Sequence, residues 1–266
     1  MIHPTAIIDP RARLGAGVRV GPYAVIDAAV ELGDHCVVGP QAYLTGHTQI
    51  GTGNQFHAGC VIGDAPQDLK YKHEPTRLRI GENNVFREHV TVHRSNKLEE
   101  DTVIGSHNFL MAGSHVAHNC HVGNHVILAN GALLAGHVTV QDRAFISGNC
   151  LVHQFVRVGT LAMMRGGSAI SQDLPPFTMS RDDNTLCGLN IVGLRRAGYS
   201  AEERLEVKRL YHLLFRSGQN LRAGVAAALP LFSGTAAKLM LEFVAATKRG
   251  VCSSNKYRAK GVEEEI

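Results

Sequence analysis

The chain has 266 residues, room for one large domain or for one domain with a small appendage. It is 44% hydrophobic but has no Trp and only 6% aromatic residues, so its core must be layered from Val, Ile, Leu and Ala, which favours a repetitive architecture. A formal charge of +4, with no basic run interleaved with aromatics, gives no support to nucleic-acid binding. No stretch approaches the roughly 18 apolar residues of a membrane span, and the opening MIHPTAIIDPRA lacks the charged-then-apolar pattern of a secretory leader. Six cysteines without a C-x-x-C pair read as reduced thiols, most of them small core fillers, in a cytoplasmic protein.

From Ile2 every sixth residue is apolar: Ile8, Leu14, Val20, Ile26, Leu32, Val38, Leu44, Ile50, Phe56, Ile62. Asp68 and Glu74 break the series, which resumes in register at Ile80 and runs to Ile170. A period of six suits neither a helix at 3.6 nor a plain alternating strand. It suits a prism whose faces are short strands and whose edges are turns, with one aliphatic side chain per face pointing inward. Three faces make a coil of 18 residues, and coils stack at the ~4.8 Å strand spacing. Contacts in such a solenoid are nearly one-dimensional. Gly often follows the aliphatic residue, as at Gly15, Gly33, Gly81, Gly105 and Gly159, where it is expected to relieve unusual backbone angles at the edges. The β-helix is therefore placed at 1–171. The interruption at 64–78 (DAPQDLKYKHEPTRL) predicts a protruding loop, and 94–101 a shorter one, although Leu98 keeps the beat.

After Ile170 the beat stops. Pro175 and Pro176 predict a linker over 172–198. Ser200 and Glu203 form a capping box that starts a helix, with Leu205, Leu210, Leu213 and Leu214 as its apolar stripe and Gly218 as its end. Further helices are predicted at about 221–231 and 235–249, giving a helical region over 199–251. The tail, 252–266, is expected to be disordered. Arg204, Lys208 and Arg209 on the first of these helices read either as a solvated face or as a dock for an acidic carrier protein.

Eighteen-residue arithmetic stacks side chains into columns. Ala117-His118-Asn119, Ala135-Gly136-His137 and His153-Gln154-Phe155 fall on one edge of successive coils, and His115 can approach from the adjoining face. Transfer of an acyl group from a thioester to a hydroxyl needs a base for the hydroxyl proton and a donor for the tetrahedral oxyanion. A neutral imidazole at His118 and an unobstructed backbone N–H at Gly136 are one such pair. Cys120 is the conceivable nucleophile, but its small-residue surroundings favour packing.

The [LIV]-G-x4 hexads resemble those of left-handed β-helix acyltransferases, most of which are trimers with active sites between neighbouring prisms. Handedness comes from this resemblance, since parallel crossovers are ordinarily right-handed. The stretch LMAGSHVAHNCHVGNHVILANGALLAGHVTV, together with PQDLKYKHEPTRLRIGENNVFREHVTVHR, LVHQFVRVG, GGSAISQDLPPF and GLNIVGLRRAGYS, resembles the UDP-N-acetylglucosamine acyltransferases of lipid A synthesis, from the N-terminus to about residue 220. The resemblance implies an acyl carrier protein as donor, UDP-N-acetylglucosamine as acceptor, a homotrimer and no cofactor or metal. It gives His118 the role of general base and Gly136 that of oxyanion donor. It assigns His115, His137, Asp68, Lys70, Asn190 and Arg196 to the sugar and phosphates, and His93, His153 and Gln154 to the surroundings of the nucleotide and acyl chain. Gly166 falls at the acyl-length ruler, where a small residue implies a longer chain. Three departures stand out: Asn119 where some members have Asp, Val192 in place of a carboxylate, and a shortened segment between Pro176 and Asn190. They leave the acceptor's 3-substituent, hydroxyl or amine, open.

Two other functions fit a β-helix. A zinc enzyme of the γ-carbonic anhydrase kind would recruit His115, His118, His121 and His125, and a non-catalytic prism would only bind nucleotide sugars. A sibling N-acyltransferase is the nearer alternative, although that family adds an N-terminal domain where the hexads here begin at once.

Overall fold

A computed structural model describes residues 1–253. Short strands, most of two residues, form three sheets of nine, eight and ten strands wrapped around one core, parallel except for the final strand of the ten-stranded sheet. As far as Ala169–Ile170 consecutive strands go to different sheets, so that each sheet is built from every third strand. Pairing of Ile7 with Val25, Phe109 with Ile127 and His115 with Leu133 shows the 18-residue coil expected from the hexads. In the coil around His118, the first sheet holds His115–Val116, the second His121–Val122 and the third Ile127–Leu128. The edges between them are 117–120, 123–126 and 129–132, called here the first, second and third edges.

From Val20 to Ile62 and from Ile80 to Ile170 the residue on the beat points inward, Leu98 excepted, with Ile26, Leu44, Ile62, Leu110, Leu128 and Ile146 at 0–1% exposure. The position two residues earlier is also buried but narrower, and takes Ala24, Ala42, Ala132, Ala144 and the thiols Cys36, Cys60, Cys120 and Cys150. Burial pushes the Cys120 thiol up to about 12, and its S–H points at the Ala135 carbonyl, 3.1 Å away, so this sulfur is core filling. Three consecutive positions of this kind on the second edge are Asn54, Asn84 and Asn108. The Asn84 amide donates to Asn54 Oδ1 at 2.9 Å, Asn108 N donates to Asn84 Oδ1 at 2.8 Å, and Val126 N ends the ladder on Asn108 Oδ1. Buried amides are tolerated because each one is bonded to the next coil.

Gly63, after Ile62, has the left-handed backbone expected of it, φ 86°, but most glycines after the aliphatic residue serve a different purpose. Left-handed backbone falls two positions later, on residues such as His35, Gln41, His107, Asn119 and His137, with φ between 56° and 60°. The glycines themselves are needed for coil-to-coil approach. A Cβ on Gly33 would lie 2.7 Å from Gly51 C, and one on Gly105 would lie 2.6 Å from Gly123 O.

Two insertions interrupt the coil, and both leave from the first edge. Val61 pairs with Thr91 and Thr91 with His115, steps of 30 and 24 residues instead of 18, with the chain between strands bulging at 65–76 and 94–101. Leu98 keeps the beat by accident: it sits on the second loop, 46% exposed.

Residues 172–198 are not a linker. Strand Thr178–Arg181 adds to the third sheet beside Met163–Met164 and turns back as Thr185–Leu189, and α1 follows at Ile191–Arg196. The prolines are accepted because this is the end of the prism, where no further coil asks for an N–H. Leu174, Phe177 and Leu186 bury themselves over the last coil, closing a core that would otherwise be open.

Helices α2 (Ala201–Phe215), α3 (Leu221–Ala228) and α4 (Thr235–Ala245) pack on this base. The capping box is present, with Glu203 N donating to Ser200 Oγ and Ser200 N to Glu203 Oε2. The buried stripe of α2 is Val207, Leu210, Tyr211, Leu214 and Phe215; Leu205, expected there, faces outward.

Asp173, 1% exposed, pins the helices to the prism. It accepts from Arg157 Nε at 2.9 Å and from Thr247 Oγ1 at 2.8 Å, while Arg157 also donates to the Phe243 carbonyl. The expected disordered tail begins too early, since Cys252 is fully buried and Ser253 bridges to Thr185. The remainder of that tail, 254–266, lies outside the described residues.

Candidate active site

Both loops emerge on the edge that carries His118, one and two coils before it, and they wall the histidine column. His118 Nδ1 is 2.9 Å from Asn119 Oδ1. Asn119 is buried in left-handed backbone and tied to the second loop: Asn96 N donates to its Oδ1 at 3.0 Å, and its Nδ2 donates to Ser95 Oγ at 2.8 Å. With Nδ1 engaged, the other ring edge, Cε1–Nε2, faces Gly136. A Cβ there would come within 2.6 Å of Cε1 and 2.8 Å of Nε2. The Gly136 carbonyl accepts from Phe155 N, whereas among the described residues no acceptor takes its N–H. The Cε1–Nε2 edge of His118 therefore lies against a glycine whose amide hydrogen takes no backbone acceptor among the described residues.

Other histidines surround this pair. His137 meets His118 edge-on, with ring centroids 5.3 Å apart, and stacks on Phe155 at 4.6 Å. His115 crosses His93 at 4.7 Å and shares a 2.7 Å hydrogen bond with Thr91 Oγ1. Burial is the main reason all three neighbours favour the neutral form; it takes His115 down to about 4, with the nearby His93 and His118 rings adding to the effect. Asp68, on the first loop, is held below the usual carboxylate range by the Lys70 backbone N–H and then by the Asn96 side-chain amide, 2.7 Å from Oδ2. Two buried polar atoms here have no partner, His93 Nδ1 and Asn96 Oδ1, which is how a site prepared for a polar ligand looks.

The remaining expected residues are spread around the prism. Exposed His153 and Gln154 continue the first edge; His153 Nδ1 lies 3.4 Å from Arg249. Lys70 is exposed on the first loop. Gly166 sits on the third edge, where a Cβ would meet only the Gly148 carbonyl, at an ordinary 3.6 Å. Asn190 caps α1 through Gly193 N and donates to the Leu161 carbonyl of the second edge, and Arg196 is exposed in the last turn of α1. The single chain thus gathers His93, His115, His118, Gly136, His137 and Asp68, but not Gly166, Asn190 or Arg196. The four histidines of the zinc alternative do not converge. His115 and His121 face out from different sheets, while His125 is on the second edge, stacked on His107.

Comparison with known proteins bears on this arrangement. Hexapeptide transferase repeats match residues 29–64 and 101–136, and the model for domain 2 of UDP-N-acetylglucosamine O-acyltransferase matches 173–252. Acyl-[acyl-carrier-protein]–UDP-N-acetylglucosamine O-acyltransferases of Syntrophobacter fumaroxidans and Halorhodospira halophila are 44% and 46% identical, each over 94% of this chain and 98% of their own. The solved structure of the UDP-N-acetylglucosamine acyltransferase from Campylobacter jejuni superposes with a TM-score of 0.90 at 35% identity, covering 95% of this chain and 99% of its own. The chain belongs to the UDP-N-acetylglucosamine O-acyltransferase family. Its prism is accordingly a left-handed parallel β-helix.

Among the residues of this acyltransferase, Ser95, Asn96 and Thr102 escaped sequence reasoning although all three bond to Asn119. Ser95 and Asn96 lie in an insertion outside the 18-residue register, so no column pointed to them. The one available signal was that the insertion leaves from the edge of the histidine column.

Proposed function

We propose that this chain transfers an acyl group from acyl carrier protein to the 3-hydroxyl of UDP-N-acetylglucosamine, as its family does, with His118 as base, in the opening step of lipid A synthesis. The observation that carries the reading is the juxtaposition of the His118 Cε1–Nε2 edge with the unbonded Gly136 N–H. Nε2 takes the hydroxyl proton as the sugar oxygen attacks the thioester carbon. The carbonyl oxygen becomes an oxyanion held by the Gly136 N–H. Collapse breaks the C–S bond, and the carrier thiolate recovers the proton from His118. Uncharged His115, His137 and His93 can donate to the sugar and phosphates without competing for the proton, and Asp68 and Lys70 offer both charge signs from the first loop.

A homotrimer supports the distribution of the other residues. The second sheet's outer face is polar, with Arg13, Glu31, Gln49, Arg79 and Thr139. The other two are largely apolar, with Ile7, Val25, Leu133 and Leu151 on one and Val37, Phe109, Ile127 and Phe145 on the other. A prism with two such faces can give one to each of two neighbours, so that a neighbour's Gly166, Asn190 and Arg196 complete each His118 edge. Gly166 then leaves room for a longer acyl chain, and His153 and Gln154 flank it.

The acidic carrier docks on α2. A groove of about 670 Å³ between Leu189, Ile191 and α2 is rimmed by Arg204, Lys208 and Arg216 over apolar Leu205. Among the described residues no helix is long and apolar enough to cross a membrane, and a cytoplasmic site of action fits a carrier-protein donor.

Incubating the protein with UDP-N-acetylglucosamine and a panel of acyl carrier protein thioesters, with mass analysis of products, tests the reaction. A 3-O-acylated product is expected, with kcat lowered ~10²–10⁴-fold in His118→Ala and the carrier's KM raised in a variant with Arg204, Lys208 and Arg209 all changed to Glu. Near wild-type kcat in His118→Ala would sink the base assignment.

A further inference from the structure

We propose that the second loop is a positioning device for the base: Ser95 and Asn96 hold the Asn119 amide in the one orientation that keeps a proton on His118 Nδ1 and leaves Nε2 free to accept. The inference rests on the reading of His118 as the base. An amide beside an imidazole is a two-way partner. Its oxygen accepts from Nδ1–H, its nitrogen donates to a bare Nδ1, and a half-turn of the amide exchanges the two. The second arrangement moves the ring proton to Nε2 and abolishes the base. A carboxylate at this position has no such alternative, because its oxygens are equivalent. Asn119 therefore needs an external lock.

The lock is visible at both ends of the amide. The Asn96 backbone N–H can only donate, and it lies 3.0 Å from Asn119 Oδ1. At the other end, Asn119 Nδ2 is 2.8 Å from Ser95 Oγ. The Ser95 hydroxyl proton is committed to the Lys97 carbonyl at 3.0 Å, and its oxygen also receives Lys97 N at 2.9 Å. Toward Asn119, then, Ser95 acts as an acceptor only. Each end of the amide meets a group of fixed sense, and both groups belong to one insertion. That insertion is held in turn by the first loop, through Asp68 and the Asn96 side chain, while Thr102 Oγ1 accepts Asn119 N at 2.7 Å. Ser95 is fully buried, and the hydrogen bonds of its side chain reach only Asn119 and the loop's own backbone; its hydroxyl acts on catalysis through the amide.

The test combines imidazole ¹⁵N spectra with kinetics. In histidine-labelled wild type at about pH 8, where an imidazole is mostly neutral, the signal lost in His118→Ala should be that of an Nδ1–H ring. An Nε2–H ring overturns the proposal before any loop variant is made. Ser95→Ala leaves the Nδ2 donor without an acceptor. It should lower kcat about 10–100-fold, the usual range for a stranded buried group, leave the KM for UDP-sugar within about twofold, and move the His118 signal toward the Nε2–H form. Adding Asn119→Asp should recover most of the lost kcat, because a carboxylate cannot be turned the wrong way. A loop that had merely collapsed would gain nothing from that change. Wild-type kcat in Ser95→Ala, or no recovery in the double variant, refutes the lock. Wild-type kcat in His118→Ala instead refutes the base reading, so the two failures are told apart.

Discussion

Along the prism nearly every residue has a counterpart 18 positions away; in the two loops and the C-terminal cap no residue has one. The consequence is energetic as well as formal. Inside the prism each side chain contacts its own coil and the next, so stability is spread over many equivalent terms. Outside it, single residues carry whole attachments: Asp173 joins the cap to the last coil, and Asn96 joins the first loop, the second loop and Asn119. The chemistry sits where the two regimes meet. The column supplies an imidazole and a glycine by repetition, and the insertions, present once, orient them.

The largest effect expected from this contrast is at Asp173. Removing this nearly buried carboxylate takes from Arg157 its ion pair and the acceptor of its backbone N–H, and from Thr247 one of two acceptors. Asp173→Ala should cost about 3–5 kcal/mol, toward the lower end because Arg157 retains some access to water. Denaturation monitored separately in helix and sheet signals should show the cap releasing first. A loss near that of an ordinary surface change would mean that the cap, like the prism, is held by many small contributions.

A pair of glycines sharpens the same comparison. Gly105 belongs to the stacking ladder, and a methyl there meets the backbone of Gly123. At Gly136 the same methyl meets the His118 ring. Gly105→Ala should lower the melting temperature and spare kcat. Gly136→Ala should do the reverse, lowering kcat by ~10²–10³, the usual worth of one oxyanion donor, because it both displaces the ring and crowds the N–H. Equal effects on stability and rate in the two variants would erase the distinction between ladder and site.

The same division explains what the sequence made legible. The beat from Ile2 to Ile170 revealed the coil, its inward residues and the stacking of His118 with Gly136, because those follow from a period alone. It misled at Leu98, where an insertion happened to return an aliphatic residue to register. It misassigned the glycines, since a period marks where Gly recurs but not whether φ or the neighbouring coil requires it. The prolines at 175 and 176 suggested a linker because their tolerance at the open end of a sheet depends on there being no next coil. Asp68, Asn190, Arg196 and Gly166 could be singled out only by family resemblance; one lies on an insertion, one on the third edge and two at the ends of α1 in the cap, distances that no local pattern encodes.

The smallest effect concerns the face beside the column, where His115 is held neutral. Its value of about 4 lies below the ordinary 6.5, chiefly through burial. Between those two values the unfolded chain binds the proton that the folded chain refuses, so folding stability is fully present above about pH 6.5 and is lost progressively as pH falls toward 4. The ring keeps some contact with solvent, so the contribution is at most ~2–3 kcal/mol. His93 is shifted the same way and will keep part of the slope. His115→Asn, which preserves a polar partner for Thr91 Oγ1, should therefore reduce, without abolishing, the difference between urea stabilities at about pH 7.5 and 4.5. That interval lies mostly above the range in which carboxylates such as Asp68 titrate, and so isolates the imidazoles. An identical pH difference in wild type and variant would show that His115 is no more buried in solution than an ordinary surface histidine.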